Sequence, residues 1–210
     1  MRYEAYTDDA ITQAMGIGPF VPSGISKVIR LLLKPSFQPE LCVTIEPNSV
    51  YVVGLRSMLW SEPVPRRLDD ISESAAIPPD HFVKLADAIP AICENRDRGK
   101  FAVLDGMSIS ILLLDRDRQW QFRDHPYERA EENFVSQLLS LAHAKITTPF
   151  LRNRIASCAE FVGTKLPLED EPPLPELTRL LIVGDSEQRN DYLDQLRRKL
   201  SQSRSKKLDS

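Results

Sequence analysis

Two parts of the chain hold short apolar runs separated by polar, glycine- or proline-bearing connections, a pattern typical of β-strands. In the first part, residues 25–34, 41–45 and 50–55 form three apolar runs separated by short polar connections. They predict three antiparallel strands in series. Residues 25–34 also show apolar residues at helical spacing, and the prediction of a strand there rests on the short connection that follows.

The second part, residues 100–123, predicts a meander of three strands. Asp105-Gly106 lies between the apolar runs FAVL and MSISILLL. An Asp-Gly pair favours a two-residue type I′ hairpin, because glycine takes positive φ at no steric cost. Residues 115–118 supply a second polar turn before the returning strand. We therefore expect the other segments to pack on this meander.

Four stretches show the 3.6-residue apolar period of an amphipathic helix. They cover a short segment ending at Met15, residues 80–93, residues 128–144 and residues 149–162. Asp80 and Thr148 are the expected N-caps, and Gly163 suits the end of the last of these helices. Pro90 is expected to kink or restart the second helix.

The segments without such a period are loops or linkers. Residues 16–24 and 61–79 hold glycines or prolines typical of long surface connections. Residues 164–176, TKLPLEDEPPLPE, predict an acidic, proline-rich linker in extended form. Beyond it, residues 177–184 predict a short strand followed by a helix, and residues 203–210 predict a disordered tail.

The order of these elements predicts an α+β fold, with antiparallel strand meanders packed against helices and a C-terminal strand–helix unit. We expect a single domain over residues 1–202, with residues 164–176 as the place where it would subdivide. Hydrophobic residues make up 42% of the chain, which is enough for a packed core.

Charge and composition exclude several partner classes. The net charge is −3, from 27 basic and 30 acidic residues, so no global field attracts nucleic acid. The apolar runs are far shorter than the roughly 20 residues that cross a bilayer, and the N-terminus lacks a signal segment. Cys42, Cys93 and Cys158 are widely spaced, as expected of thiols in a reducing cytosol. We expect a cytoplasmic protein without nucleic-acid or membrane partners.

Few residues have the spacing of a cofactor or metal site. His81, His125 and His143 lack the paired spacing of metal ligands. The segment GIGPFVPSGIS is rich in glycine, but it has neither the lysine of a P-loop nor GxGxxG spacing. The sequence therefore predicts no cofactor and no phosphate loop.

Residues 184–186, Gly-Asp-Ser, follow an apolar strand and resemble the nucleophile block of GDS(L)-type hydrolases. The resemblance implies a catalytic serine at a strand-to-helix junction. It covers these three residues only, and no histidine follows Ser186, whereas the late histidine of that family supplies its base. Capping of the following helix accounts for the same residues without chemistry.

Aspartates at the two ends of the central meander supply an enzymatic alternative. They are Asp105, Asp115, Asp117 and Asp124. Carboxylates at strand ends bind magnesium in many nucleases. Each aspartate also suits a turn, and arginines alternate with two of them. The alternative function is therefore a metal-dependent nuclease or other hydrolase that uses these residues.

The preferred hypothesis is a non-enzymatic protein-binding module of a bacterial cytosol, immunity-like or regulator-like. The long proline-bearing segments 61–79 and 164–176 suit a partner, because stiffened segments lose less entropy on binding. The candidate contacts are their acidic side chains: Asp69, Asp70, Glu73, Glu169, Asp170 and Glu171. The predicted partner is another protein, and the sequence predicts neither its identity nor an oligomeric state.

Overall fold

The computed structural model describes residues 7–36, 38–56, 58, 70–94, 106–116, 118–124 and 129–170. Their strands and helices, in chain order, are α1 (Asp8–Ala14), β1 (Lys27–Pro35), β2 (Leu41–Glu46), β3 (Ser49–Leu55), β4 (Asp70–Ala76), α2 (Pro79–Glu94), β5 (Met107–Asp115), β6 (Arg118–Asp124), α3 (Arg129–Lys145) and α4 (Pro149–Glu160). The strands form one antiparallel sheet, which confirms the predicted α+β class. Within the described residues, no helix is long and apolar enough to cross a membrane.

The sheet has the strand order β4-β3-β2-β1-β5-β6. Strands β1 to β4 form a meander, and the chain then returns through α2 to the other side of β1. There β5 pairs with β1 from Lys27↔Asp115 to Pro35↔Met107, and β6 pairs with the far side of β5. Strand β1 pairs with β2 and β5, and its apolar side chains are buried on both faces of the sheet.

Each face of the sheet has its own core. Ile29, Leu31 and Leu33 of β1 face one core, which is covered by α2, α3 and α4. Val28 and Leu32 face the opposite core, which α1 and the loop after it cover. We call these the helical face and the α1 face. The alternation follows from the two-residue period of a strand.

Helix α4 approaches the sheet closely at Gly54 of β3. A Cβ at this position would lie 3.0 Å from Cδ2 of Leu151 and 3.4 Å from Cε1 of Phe150. Both side chains belong to the first turn of α4 and are buried. Glycine at this strand position therefore lets the helix pack directly on the backbone.

Several predicted elements are confirmed. Residues 25–34 contain strand β1, which decides between the strand and helix interpretations. Thr148 is the N-cap of α4 and Pro149 follows it, while Gly163 takes a positive φ of 70° after the helix. The second turn of the predicted meander is also present, since β5 and β6 are adjacent and antiparallel, and Arg116 between them takes a φ of 56°.

The long connection predicted over residues 61–79 is wrong in its second half, where the structure has strand β4. Its pattern DISESAA is weak in β-formers, so the sequence favoured a loop. As the end strand of the described sheet, β4 is half exposed, and small polar residues suffice there. Pairing with β3, for example Val53↔Ser72, supplies its hydrogen bonds.

The strand pairing predicted at Asp105-Gly106, between residues 101–104 and the strand after Gly106, is corrected by the neighbours of β5. Residues 101–105 lie outside the described residues. Strand β5 pairs with β1 along its whole length and with β6 from Ile109 onward, so its edges are taken by these strands. A local turn signal predicts a sharp reversal but cannot specify a neighbour, and the apolar strand β1 occupies that side. Gly106 instead exchanges hydrogen bonds with Ser36, at the end of β1.

Two details of α2 also differ from the prediction. The helix begins at Pro79, so Asp80 lies in its first turn and is not the N-cap. Proline suits the first helical position because its missing N–H would have no partner there. Pro90 lies inside α2, which continues as one helix on both sides of it, so the predicted restart is wrong and the alternative, a kink, stays a prediction.

The chain divides into two units, Met1–Glu171 and Pro172–Ser210. The second unit holds the predicted strand over residues 177–184, the helix after it and the tail at 203–210, all of which lie outside the described residues. The Gly-Asp-Ser segment at 184–186 lies there as well. The single domain over 1–202 stays a prediction.

The close approach at Gly54 predicts the effect of a larger residue. Gly54→Val should lower the free energy of unfolding by about 1–3 kcal/mol, because the added carbons overlap Leu151 in a packed core. Urea unfolding checks this. Ser72→Val, at an exposed position of β4, is the control and should change stability little. An unchanged midpoint in Gly54→Val would show that α4 does not pack on β3 in this way.

Candidate functional site

The predicted contact residues fall into three groups. Asp69 and Glu171 lie outside the described residues. Glu73 and Glu169 bind other parts of the fold. Asp70 begins β4 and Asp170 is exposed. The structure therefore separates acidic side chains that hold the fold together from those that face solvent.

Glu73 of β4 binds the connection between α3 and α4. Its Oε1 accepts the N–H of Thr147 at 2.9 Å and the hydroxyl of the same residue at 2.8 Å. Its Oε2 accepts the N–H of Thr148 at 2.8 Å. Burial acts to raise the pKa of Glu73, but the hydrogen bonds from Thr148 and Thr147 outweigh burial and lower it to about 2. The carboxylate of Glu73, which lies on strand β4, thus caps the start of helix α4.

Residues 164–170 belong to no helix or strand and are bound to α3 and α4. The rest of the predicted linker, 171–176, lies outside the described residues. Asn153 of α4 holds Glu169 by two bonds to its backbone: the side-chain oxygen accepts the Glu169 N–H at 2.7 Å, and the side-chain nitrogen donates to the Glu169 carbonyl at 3.0 Å. Arg152 forms an ion pair with the Glu169 side chain at 2.9 Å. The segment is therefore fixed through both its backbone and a side chain.

Further contacts hold the same segment to helix α3. The hydroxyl of Thr164 donates to that of Ser136 at 2.6 Å, and Leu166 packs against the core of the helical face. Nε2 of His143 lies 3.0 Å from the carbonyl oxygen of Pro167. Burial lowers the pKa of His143, which favours the neutral ring that donates this bond.

The other side of residues 164–170 faces solvent. Leu168 is 66% exposed, and Lys165 and Asp170 are exposed as well. An exposed leucine is ordinary on a protein surface. Here, however, the backbone carries hydrogen bonds one residue before Leu168 and one residue after it.

The meander-end aspartates do not form a described metal site. Asp105 and Asp117 lie outside the described residues, and so does the side chain of Asp124. Asp115 lies 3.8 Å from Nζ of Lys27. Among the described residues, no three His, Cys, Asp or Glu side chains are grouped so as to hold a metal. The nuclease alternative stays a prediction that no described contact favours.

Two of the cysteines are inert by burial. Burial raises the pKa of Cys42 to about 11 and that of Cys158 to about 12. A thiol is a nucleophile only as the thiolate, which these values exclude at neutral pH. Both side chains therefore serve as small core residues, as their apolar neighbours in the sequence indicate.

The α1 face carries buried polar residues that the sequence did not single out. Asp8 of α1 accepts a hydrogen bond from Lys34 Nζ at 2.8 Å, and Nε of Arg123 lies 2.6 Å from its other oxygen. Arg30 is also buried, and it lies on β1 four residues before Lys34. It lines an open cleft of about 390 Å³ together with Thr44, Glu46, Tyr51 and Ser74. The sequence showed β1 as an apolar run, but Arg30 inside that run belonged to no recognisable motif.

The cap at α4 predicts how stability depends on pH. Because the folded-state pKa of Glu73 lies below its ordinary value of 4.5, its carboxylate contributes fully above pH 4.5 and loses that contribution as the pH falls towards 2. We expect Glu73→Gln to cost about 1 kcal/mol above pH 4.5, since solvent screens a partly exposed group, and less near pH 2. Urea unfolding at both pH values measures this. Asp70→Asn, on the same strand, should be neutral, and an equal loss in both variants would contradict the capping role.

The backbone clamp predicts a local change in dynamics. Asn153→Ala removes both bonds to Glu169, so the amide of Glu169 should exchange with solvent faster and stability should fall by about 1–2 kcal/mol. Hydrogen exchange of the full chain measures the first effect and urea unfolding the second. Asn48→Ala, at an exposed turn, should leave the Glu169 amide unchanged. Unaltered protection of Glu169 in Asn153→Ala would mean that other contacts hold the segment.

The chain matches no protein-family model, no curated protein and no solved structure. Roles for its residues therefore rest on their own geometry. Two arrangements of the described residues are suited to binding. One is the fixed segment 164–170 with its exposed leucine, and the other is the cleft that Arg30 lines on the α1 face.

Proposed function

We propose that the protein is a non-enzymatic protein-binding module, and that residues 164–170 form the part that a partner protein contacts. One observation carries the proposal: Leu168 is 66% exposed on a segment whose backbone is fixed by Asn153. Of the two segments that the sequence indicated, 61–79 and 164–176, the proposal keeps part of the second and changes which of its side chains meet the partner.

Fixing the segment lowers the cost of binding. Ordering one residue of a flexible chain costs about 1–2 kcal/mol of backbone entropy. In this protein, that cost is met on folding, because hydrogen bonds hold the backbone at the N–H of Thr164, the carbonyl of Pro167 and the N–H of Glu169. A partner that binds the exposed side then gains contact with little further loss of entropy.

The exposed side suggests the chemistry of the partner. Leu168 offers an apolar side chain to a partner's apolar pocket, and Asp170 offers a carboxylate to a basic residue at its edge. Glu169 belongs to the inner side, since it pairs with Arg152. We therefore favour Asp170 over Glu169 among the predicted contacts. A cytoplasmic location in a bacterium and an immunity-like or regulator-like role belong to the same proposal and rest on the sequence.

A site-specific crosslinker distinguishes this surface from any other exposed apolar position. A photoreactive residue at position 168 should form an adduct with a partner protein in cells, and Asp170→Lys should reduce its yield. Val83 of α2 is the matched control, because it is 53% exposed and lies on another element. Equal adducts from positions 168 and 83, or none from 168, would contradict the proposal.

A further inference from the structure

Arg30 is a buried cation that no carboxylate neutralises within the described residues. It is 4% exposed. Its Nε donates to Oγ1 of Thr44 at 3.3 Å, and its Nη1 donates to the carbonyls of Pro19 at 2.7 Å and Phe20 at 3.0 Å. These acceptors are all neutral. Burial of an unpaired charge costs several kcal/mol, so an arginine in this position calls for a reason beyond packing.

Two of the acidic residues near Arg30 are engaged elsewhere, and the third, Glu46, makes no ion pair with Arg30 in the described part of the chain. Asp8 lies between Lys34 and Arg123, at 2.8 and 2.6 Å. Asp9 accepts the N–H of Phe20 at 2.8 Å. A guanidinium has five N–H groups, and the three bonds of Arg30 leave the two on Nη2 without an acceptor in the described part of the chain.

Arg30 lines the open cleft of about 390 Å³ on the α1 face, at its buried end. The sheet register places Thr44, Tyr51 and Ser74 in one row with Arg30, on β2, β3 and β4. This row spans three strand spacings, or about 14 Å, and every member beyond Arg30 carries a hydroxyl. The volume falls within the range of roughly 300–1,000 Å³ that small-molecule sites occupy.

We propose that this cleft binds a small molecule whose carboxylate or phosphate group meets Nη2 of Arg30 and whose remainder lies along the hydroxyl row. Charge-assisted hydrogen bonds to oxyanions are the strongest that an arginine makes, and the bound anion would supply the missing countercharge. The site is independent of the surface proposed for a protein partner, since residues 164–170 pack on the helices of the opposite face.

Glu46 limits the charge of the ligand. It lines the same cleft as Arg30. Its place on β2, two residues beyond the partner of Arg30, puts the two Cα atoms about 7–8 Å apart. A carboxylate at this distance repels a second negative charge, so the cleft favours a small ligand with one anionic group over a polyphosphate or a nucleic-acid backbone.

Nuclear magnetic resonance of the full chain tests the site directly. The Nε–H signal of Arg30 is followed during titration with sodium acetate or inorganic phosphate, against chloride at equal ionic strength. We expect a saturable shift with a Kd of about 1 mM for at least one probe. Tighter binding of acetate indicates a carboxylate ligand, and tighter binding of phosphate a phosphate-bearing one. No saturable shift with either probe overturns the proposal.

Two variants locate the binding. Glu46→Gln should tighten binding about threefold, because it removes the nearby negative charge, while Asp70→Asn removes a charge outside the cleft and should change affinity by less than about 1.5-fold. Arg30→Lys should weaken binding about tenfold, since lysine lacks the guanidinium fork. Arg30 also binds the carbonyls of residues 19 and 20, so Arg30→Lys could fail to fold. In that case, the comparison of Glu46→Gln with Asp70→Asn tests whether the anion binds in the cleft. Equal effects of these two variants would place the anion elsewhere and overturn the proposal.

Discussion

The rest of the structure depends on the burial of β1 on both faces. Its odd-numbered residues pack under three helices, and its even-numbered residues pack under α1 and the following loop. Any polar side chain in such a strand must find its partners inside the protein. Lys34 does so through Asp8, which is itself buried at the start of α1. Arg30 meets only neutral oxygens, and this difference between two cations on one strand face marks the cleft.

The helical face depends on the carboxylate of Glu73, which lies on β4, an end strand of the described sheet. Proline at the first position of α4 has no N–H, and the two N–H groups before it belong to Thr148, the N-cap, and Thr147. Glu73 accepts both, and its negative charge also suits the positive end of the helix dipole. The same contact fixes β4, whose own residues have little β-propensity. Helix and strand therefore stabilise each other through one side chain.

Much of the fold followed from periodicity, because alternation and helical spacing report which side of an element is buried. The strands β1 to β3 and the helices α3 and α4 were predictable for this reason. The position of β4 was not, since an end strand half exposed to solvent needs no apolar alternation. Neither was the pairing of β5 with β1, which joins residues far apart in the sequence. The Arg30 cleft gave no signal, because it brings four strands together and no two of its residues form a motif.

The candidate contacts show why acidic composition alone could not separate structural from functional residues. Glu169 and Asp170 are adjacent and chemically alike, yet Glu169 is held by Arg152 and Asn153 while Asp170 faces solvent. The contacts with α4 hold Glu169 against the helix and leave Asp170 in solvent. The same contacts turn Leu168 outward. Its exposure follows from the fold, because Pro167 and Glu169 on either side of it are held by hydrogen bonds and the leucine stays in solvent.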